Sequence, residues 1–292
     1  MLTKKQFQNM LEKGPVLLDG ATGSNLQAMG MPRGCSSEAW ILENPQALIT
    51  LQEQYAAAGS QIIYAPTFQA QPIALEAVGL AEQTEQINAR LVALSRQAAG
   101  DALVAGNLTT LAAFTDSWDS EKFDLLVENY RRQIRGLIDG GADLLAAETL
   151  LYPQEAEAIL TAAELEGAGA AMYSFTMQPD GSLFSGMDAA PVLKNLEEAG
   201  AAAVGFNCVA ADDFTAGLVA KLRRTLRCPI LCKPNAGNPV IGEDNLAHYP
   251  MGAEEFGDIL ADCAAMGAAL LGGCCGTTPG HIAAIKRKLS CV

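Results

Sequence analysis

Eight short apolar runs punctuate the chain: VLLDG from Val16, QIIYAPTF from Gln61, ALVAGNL from Ala102, LLAAETL from Leu144, AMYSFTM from Ala171, AAVGFNC from Ala202, PILCKPN from Pro229 and AALLGGCC from Ala268. Each is apolar through most of its length and closes on a small or polar residue, as a strand buried on both faces does. Longer segments with helical spacing separate them. The first opens at Asn44 and Pro45, runs LITLQEQYAAA and stops at Gly59, with proline in its first turn and glycine past its last. The others cover 82–99, 121–140, 153–167, 190–200, 212–226, 253–267 and 279–289. Residues 1–14, MLTKKQFQNMLEKG, read as a short amphipathic helix ahead of the first strand. Eight β-then-α units predict an α/β protein, a (β/α)8 TIM barrel forming a single domain over 1–292. A doubly wound open sheet is the alternative. It calls for a glycine-rich phosphate loop, and LLDGATGSNLQ lacks the GxGxxG spacing. Stretches 29–44 and 236–252 are expected to be irregular loop decoration.

Composition narrows the class. Half the residues are hydrophobic and 18% are charged, which supplies the core of a compact α/β enzyme. A net charge of −14 argues against nucleic acid or an anionic membrane as partner, since both require basic patches. The N-terminus has no apolar segment of the signal-peptide kind, and no run is long enough to span a bilayer. A cytoplasmic location is expected, where the eight cysteines stay reduced thiols.

In such a barrel the chemistry sits at the C-terminal ends of the strands. Those ends are Asp19, Thr67, Asn107, Glu148, Thr176, Asn207 with Cys208, Asn235, and Cys274 with Cys275. Adjacent side chains on a strand face opposite ways, so a double cysteine is wasteful inside a ladder. Past the strand, with Gly272, Gly273 and Gly276 around it, the backbone can turn and aim both thiols at one point. Strands six and eight flank the seventh, so their ends are expected roughly 10 Å apart. Cys208, Cys274 and Cys275 then form a three-sulfur set suited to Zn²⁺, with a fourth position open as in catalytic sites. Cys35, Cys228, Cys232 and Cys263 are expected to be small core residues, and Cys291 lies beside the terminus. Only His248 and His281 are present, which excludes a three-histidine zinc hydrolase.

The segments GGCCGTTPGHI, GFNC at 205–208, LLDGATGSNLQ at 17–27, AGSQIIYAPTF at 58–68 and KPNAG at 233–237 resemble the homocysteine S-methyltransferase family. That family includes betaine–homocysteine methyltransferase and the homocysteine module of cobalamin-dependent methionine synthase. The similarity runs from about Val16 to Ile285, and LDGATGSNLQ is more similar to the methionine synthase module. The resemblance implies a zinc site of Cys208, Cys274 and Cys275. It also implies that Asp19 and Glu148 take the ammonium of the amino-acid thiol. These residue types suit the reaction. A free thiol, with a pKa near 8.5, is mostly protonated at neutral pH, and zinc coordination favours the thiolate. Three anionic cysteines keep electron density on the acceptor sulfur.

Backbone amides at Ala21, Thr22, Gly23 and Ser24 are candidates for the substrate carboxylate, at a helix N-terminus. Asn207 and Asn235 are expected to position their neighbours, and Thr67 and Thr277 to donate from behind them. The family's donors include betaine, S-methylmethionine, S-adenosylmethionine and protein-bound methylcobalamin. Neither histidine sits in a DxHxxG element, so any corrinoid would arrive on a partner protein, the donor favoured here. A cationic donor would want an aromatic cage; the nearest candidates, Trp40, Trp118, Tyr64 and Phe68, are expected to pack loops. The rival readings are a Schiff-base aldolase using Lys233, a zinc or thiol sensor with a closed site, another thiol acceptor, and methyl transfer in the opposite direction.

Overall fold

The computed structural model describes residues 1–111, 119–242 and 247–290. Eight parallel strands form the barrel: β1 (Val16–Leu17), β2 (Ile62–Tyr64), β3 (Leu103–Thr109), β4 (Leu144–Leu150), β5 (Ala171–Phe175), β6 (Ala203–Ala210), β7 (Ile230–Asn235) and β8 (Ala268–Leu271). They pair in chain order from β2 to β8, and β8 pairs with β1. A parallel bridge from Leu18 to Ile62 closes the ring between β1 and β2. The strands read as continuous apolar runs because they are covered twice, by the barrel interior on one face and by helices on the other. Those helices are α1 (Pro45–Ala58), α2 (Thr84–Ala98), α3 (Ser120–Asp139), α4 (Pro153–Leu165), α5 (Ala189–Glu198), α6 (Thr215–Thr225), α7 (Ala253–Ala265) and α8 (Pro279–Leu289).

The interior cluster holds Val16, Leu18, Ile62, Leu144, Met172, Leu231 and Leu270, with alanines at 105, 146 and 203 where space is short. Phe7 joins it from the N-terminal helix, Lys4–Leu11, which a Thr3–Gln6 capping box starts. Its burial contributes about 1.5–3 kcal/mol and plugs the end of the barrel opposite the strand C-termini.

The structure corrects several boundaries. Stretch 29–44 is not wholly irregular: Ser37–Glu43 is helical, and the Ser36 hydroxyl caps it by accepting from the Ala39 N–H. Two turns are too few to show a helical period in sequence. Another short helix, Gly23–Ala28, follows β1. Stretch 236–252 contains an antiparallel hairpin pairing Val240–Ile241 with Ala247–His248. The first and last strands stop at Leu17 and Leu271, short of Asp19 and the double cysteine; Gly272 and Gly273 lead the last one out of the ladder. Strand β6 instead continues past Cys208 to Ala210, with a register shift after Asn207. Among the described residues no helix is long and apolar enough to cross a membrane.

Candidate active site

The three cysteines expected at the barrel mouth are brought together. Their sulfurs all lie within 4.8 Å of one another. Cys208 reaches this position through a left-handed backbone, φ 58°, uncommon for a residue with a Cβ. Asn207 holds that bend. Its Oδ1 accepts from the Thr149 N–H at 2.7 Å and from the Ser174 hydroxyl at 2.9 Å, while its Nδ2 donates to Thr149 Oγ1 at 2.7 Å. Thr149 is itself left-handed, φ 59°. Two strained residues on β4 and β6 are therefore tied to one amide, which supplies the over-determination such geometry requires. Asn207 Nδ2 also lies 3.9 Å from Cys274 Sγ.

The double cysteine occupies a turn after β8, pinned from both sides. The Cys274 N–H donates to Pro234 O at 2.7 Å and the Cys275 N–H to Asn235 Oδ1 at 3.0 Å. The Thr277 hydroxyl donates to Cys274 O at 2.7 Å and accepts from the Ala21 N–H at 3.1 Å. Gly273 has no room for a side chain: a Cβ there would sit 2.4 Å from Thr277 Oγ1. Thr176, at the end of β5, donates to Cys208 O at 3.4 Å.

The donor set fits a tetrahedral zinc. Three sulfurs bound at about 2.3 Å to one ion would stand roughly 3.8 Å apart, within reach of the spacing found. Hydrogen bonds with Cys274 and then Cys275 push the Cys208 thiol up, and bonds from Cys208, Cys274 and the Tyr249 hydroxyl pull Cys275 down. The remaining cysteines stand apart from this group: Cys228, Cys232 and Cys263 are buried as expected, while Cys35 is exposed, its thiol 3.0 Å from Pro32 O in a turn ahead of the Ser37–Glu43 helix. Cys291 and Trp118 lie outside the described residues.

A cavity of about 270 Å³ opens beside the sulfurs. Its walls include residues 20–24, Glu38, Tyr64, Phe68, Asn107, Glu148, Thr149 and Lys233. Lys233 is 3% exposed, its Nζ 3.3 Å from Glu148 Oε2 and 3.7 Å from Asp19 Oδ1. The Tyr64 ring lies beneath it, 4.6 Å from Nζ to centroid. Asp19 Oδ2 accepts from the Tyr64 N–H, and Glu148 Oε1 accepts from Asn107 Nδ2 at 2.9 Å. Thr67 bonds the Asn107 backbone on both sides but does not line the cavity. Burial lifts Asp19 to about 7 against the pull of Lys233, and burial also raises Glu148 above the usual carboxylate range. Burial pushes Lys233 down, but Glu148 and Asp19 outweigh it and hold the ammonium well above lysine's ordinary value. A Schiff base needs a neutral amine, so this geometry argues against the aldolase reading.

Other sequence-predicted positions differ in detail. The Ala21 N–H is taken by Thr277, which leaves Thr22, Gly23 and Ser24 on the cavity wall. Tyr64 is a buried strand residue rather than loop packing, Phe68 lines the cavity, and Trp40 packs on the core from its helix. Sequence reasoning missed Glu38, a 2% exposed acid whose carboxylate accepts from the Gln69 N–H and the Ser37 hydroxyl. Its signal was an acid at the second position of the Ser37–Glu43 helix, just ahead of the apolar run AWIL. It also missed Thr149 and Tyr249, which no spacing rule marks.

The sequence profile of the homocysteine S-methyltransferase family matches residues 16–289. A homocysteine S-methyltransferase of Escherichia coli is 32% identical, across 99% of this chain and all of that protein. A methionine synthase of Mycobacterium tuberculosis is 28% identical across 94% of this chain, which spans 24% of that protein. The crystal structure of the E. coli homocysteine methyltransferase MmuM in its metallated form superimposes with a TM-score of 0.83 at 30% identity, covering 97% of this chain and 99% of that one. With a matched profile, a full-length relative and a shared fold, this chain belongs to the homocysteine S-methyltransferase family.

Proposed function

We propose that the chain transfers a methyl group to the thiol of homocysteine, giving methionine, with zinc held by Cys208, Cys274 and Cys275. The observation that carries this reading is the convergence of three sulfurs within 4.8 Å on the wall of a cavity large enough for a small amino acid. Zinc, when bound, would lower the pKa of the acceptor thiol so that it reacts as a thiolate. The chain's own residues do the rest. Asn207 and Thr149 fix the direction of Cys208, and Asn235 and Thr277 fix the double cysteine. Glu148 lines the pocket, and Asp19 lies behind it across Lys233, so that two acids stand near the place of a substrate ammonium. The first turn of the Gly23–Ala28 helix, through Thr22, Gly23 and Ser24, presents backbone N–H groups suited to a carboxylate. In the transfer, a sulfur lone pair forms the new C–S bond while the donor's bond to the methyl carbon breaks and the leaving group keeps its electron pair.

We further propose a methyl-corrinoid on a partner protein as donor. Two observations support it. The loops after β5, β6 and β7, which leave the C-terminal ends of those strands, expose Phe184, Met187, Phe214, Val240 and Ile241. The Tyr64 ring that could cage a cationic donor already faces Lys233. S-methylmethionine, S-adenosylmethionine and betaine remain the comparison set.

The test is zinc X-ray absorption of the reduced protein before and after homocysteine, followed by product analysis with each donor. Three sulfurs rising to four, and methionine formed with methyl-corrinoid protein, is the expected result. Four sulfurs at the outset with no change on adding thiol would place the chain among closed-site sensors instead.

A further inference from the structure

Tyr249 meets the sulfur trio from outside the substrate cavity. It follows the hairpin that pairs Val240–Ile241 with Ala247–His248, and it precedes Pro250, whose ring favours an extended backbone in the residue before it. The base of this loop is bonded to the double cysteine. The Ala236 N–H donates to Cys275 O at 3.0 Å, and the Met251 N–H donates to Ala236 O at 3.3 Å. The Thr278 N–H donates to His281 Nδ1, so Nε2 carries the ring proton and donates to Met251 O at 3.1 Å. Gly276, at φ 78°, packs against the tyrosine: a Cβ there would collide with Tyr249 Cβ and Cγ. The side chain is thereby seated on the residue next to Cys275, and its hydroxyl is hydrogen-bonded to Cys275 Sγ. Cys275 lines the cavity and Tyr249 does not. The hydroxyl therefore reaches an acceptor in the cavity only through the sulfur.

We propose that Tyr249 is a positioning residue of the metal centre: it fixes the Cys275 sulfur and draws charge from that thiolate, so that bound zinc is a stronger Lewis acid toward the acceptor thiol. The inference rests on the reading of the trio as a zinc site. A sulfur in a three-cysteine set is an anion, and an O–H donated to it is charge-assisted, about twice as strong as a neutral hydrogen bond. Electron density that the bond withdraws from Cys275 is not given to the metal, which then asks more of the fourth sulfur. Asn207 does less of this for Cys274, since its Nδ2 stands 3.9 Å from that sulfur. Partners that orient a metal ligand in this way typically change metal affinity about 10- to 100-fold.

Tyr249→Phe isolates the hydroxyl, because the ring that packs on Gly276 remains. Cobalt(II), loaded in place of zinc, reports the sulfurs through their thiolate-to-metal charge-transfer band. In Tyr249→Phe that band should move to longer wavelength, since an unbonded thiolate gives up electron density more easily, and zinc should bind about tenfold more weakly in a chelator competition. A 3-fluorotyrosine placed at position 249 has a more acidic hydroxyl, donates more strongly and should move the band to shorter wavelength. That protein keeps the native packing, so it decides the matter where Tyr249→Phe does not fold. A band that stays put in Tyr249→Phe, or in the fluorotyrosine protein where the variant is not folded, overturns the inference whatever the affinity does, and leaves the zinc reading standing. If the reduced wild type takes up neither metal, the zinc reading itself fails, and this inference with it.

Discussion

Asn207 brackets Thr149 from both ends of its amide, accepting from the backbone N–H and donating to the hydroxyl, each at 2.7 Å. Because Thr149 and Cys208 are both left-handed, this bracket is what makes the direction of one sulfur affordable to the fold. Asn207→Ala removes three hydrogen bonds to Thr149 and Ser174, and a longer one to Cys274 Sγ, at a buried position. It should cost about 1–3 kcal/mol of stability and lower zinc affinity 10- to 100-fold with the three cysteines unchanged. A chelator-competition titration beside a denaturant melt separates the two effects. Lost stability with native zinc affinity would show that the bracket serves only the fold.

Cys208→Ser should lose zinc and methyl transfer together while the barrel stays folded. Cys263→Ala, deep in the core, should behave in reverse: full zinc content, and a stability loss of roughly 1–2 kcal/mol. Metal analysis and thermal melts on the two purified variants check the contrast. Stoichiometric zinc and full turnover in the serine variant would remove Cys208 from the ligand set.

Stripped of metal, the trio should oxidise to one disulfide that includes Cys208. Its sulfur lies near both partners, whereas a bridge between adjacent Cys274 and Cys275 closes a strained ring. Peptide mapping after mild peroxide identifies the bond. Zinc uptake should be lost on oxidation and return with reductant. A Cys274–Cys275 bridge would contradict the prediction.

Gly205 has no space for a methyl group: a Cβ there would come 1.9 Å from Leu231 O on the neighbouring strand. Gly205→Ala must push β6 and β7 apart directly below Cys208. A loss of more than about 3 kcal/mol is expected, seen as a lowered denaturant midpoint or insoluble protein. Near-native stability would mean that the two strands yield more easily than their register suggests.

Away from the site, Glu197 couples stability to acid. Burial pushes its carboxyl up, but the Cys228 N–H, Lys194 and the Arg227 N–H bring it down to about 2. A carboxylate depressed by folding stabilises above its ordinary pKa, and that stability is lost as pH falls through the folded value. Glu197→Gln should therefore cost on the order of 1–2 kcal/mol at neutral pH, with the gap to wild type closing between roughly pH 4 and pH 2. Denaturant melts across that range would show a constant gap if the charge plays no part.

The barrel was legible because a strand covered on both faces must be apolar along its length, and eight such runs survive every loop between them. The sulfur trio was legible once those runs were ordered, since topology alone puts the ends of β6 and β8 near each other. The charge trio was only half legible. Asp19 and Glu148 showed as acids at strand ends, but Lys233 read as a separate possibility, because nothing in KPNAG says that its side chain folds back between them. Glu38 and Thr149 were missed for a related reason. One sits on a helix too short to show a period, and the other acts through a backbone angle that composition does not encode. Cys35 was misjudged because a cysteine's average burial says nothing about the turn beside Gly34 that exposes it.

The Thr277 hydroxyl joins the carbonyl of Cys274 to the N–H of Ala21, groups at opposite ends of the chain. During synthesis the first strand leaves the ribosome long before the last, so the assembled centre cannot exist on a nascent chain that stops short of the double cysteine. A chain truncated before residue 268 would keep Cys208 but have neither of its sulfur partners.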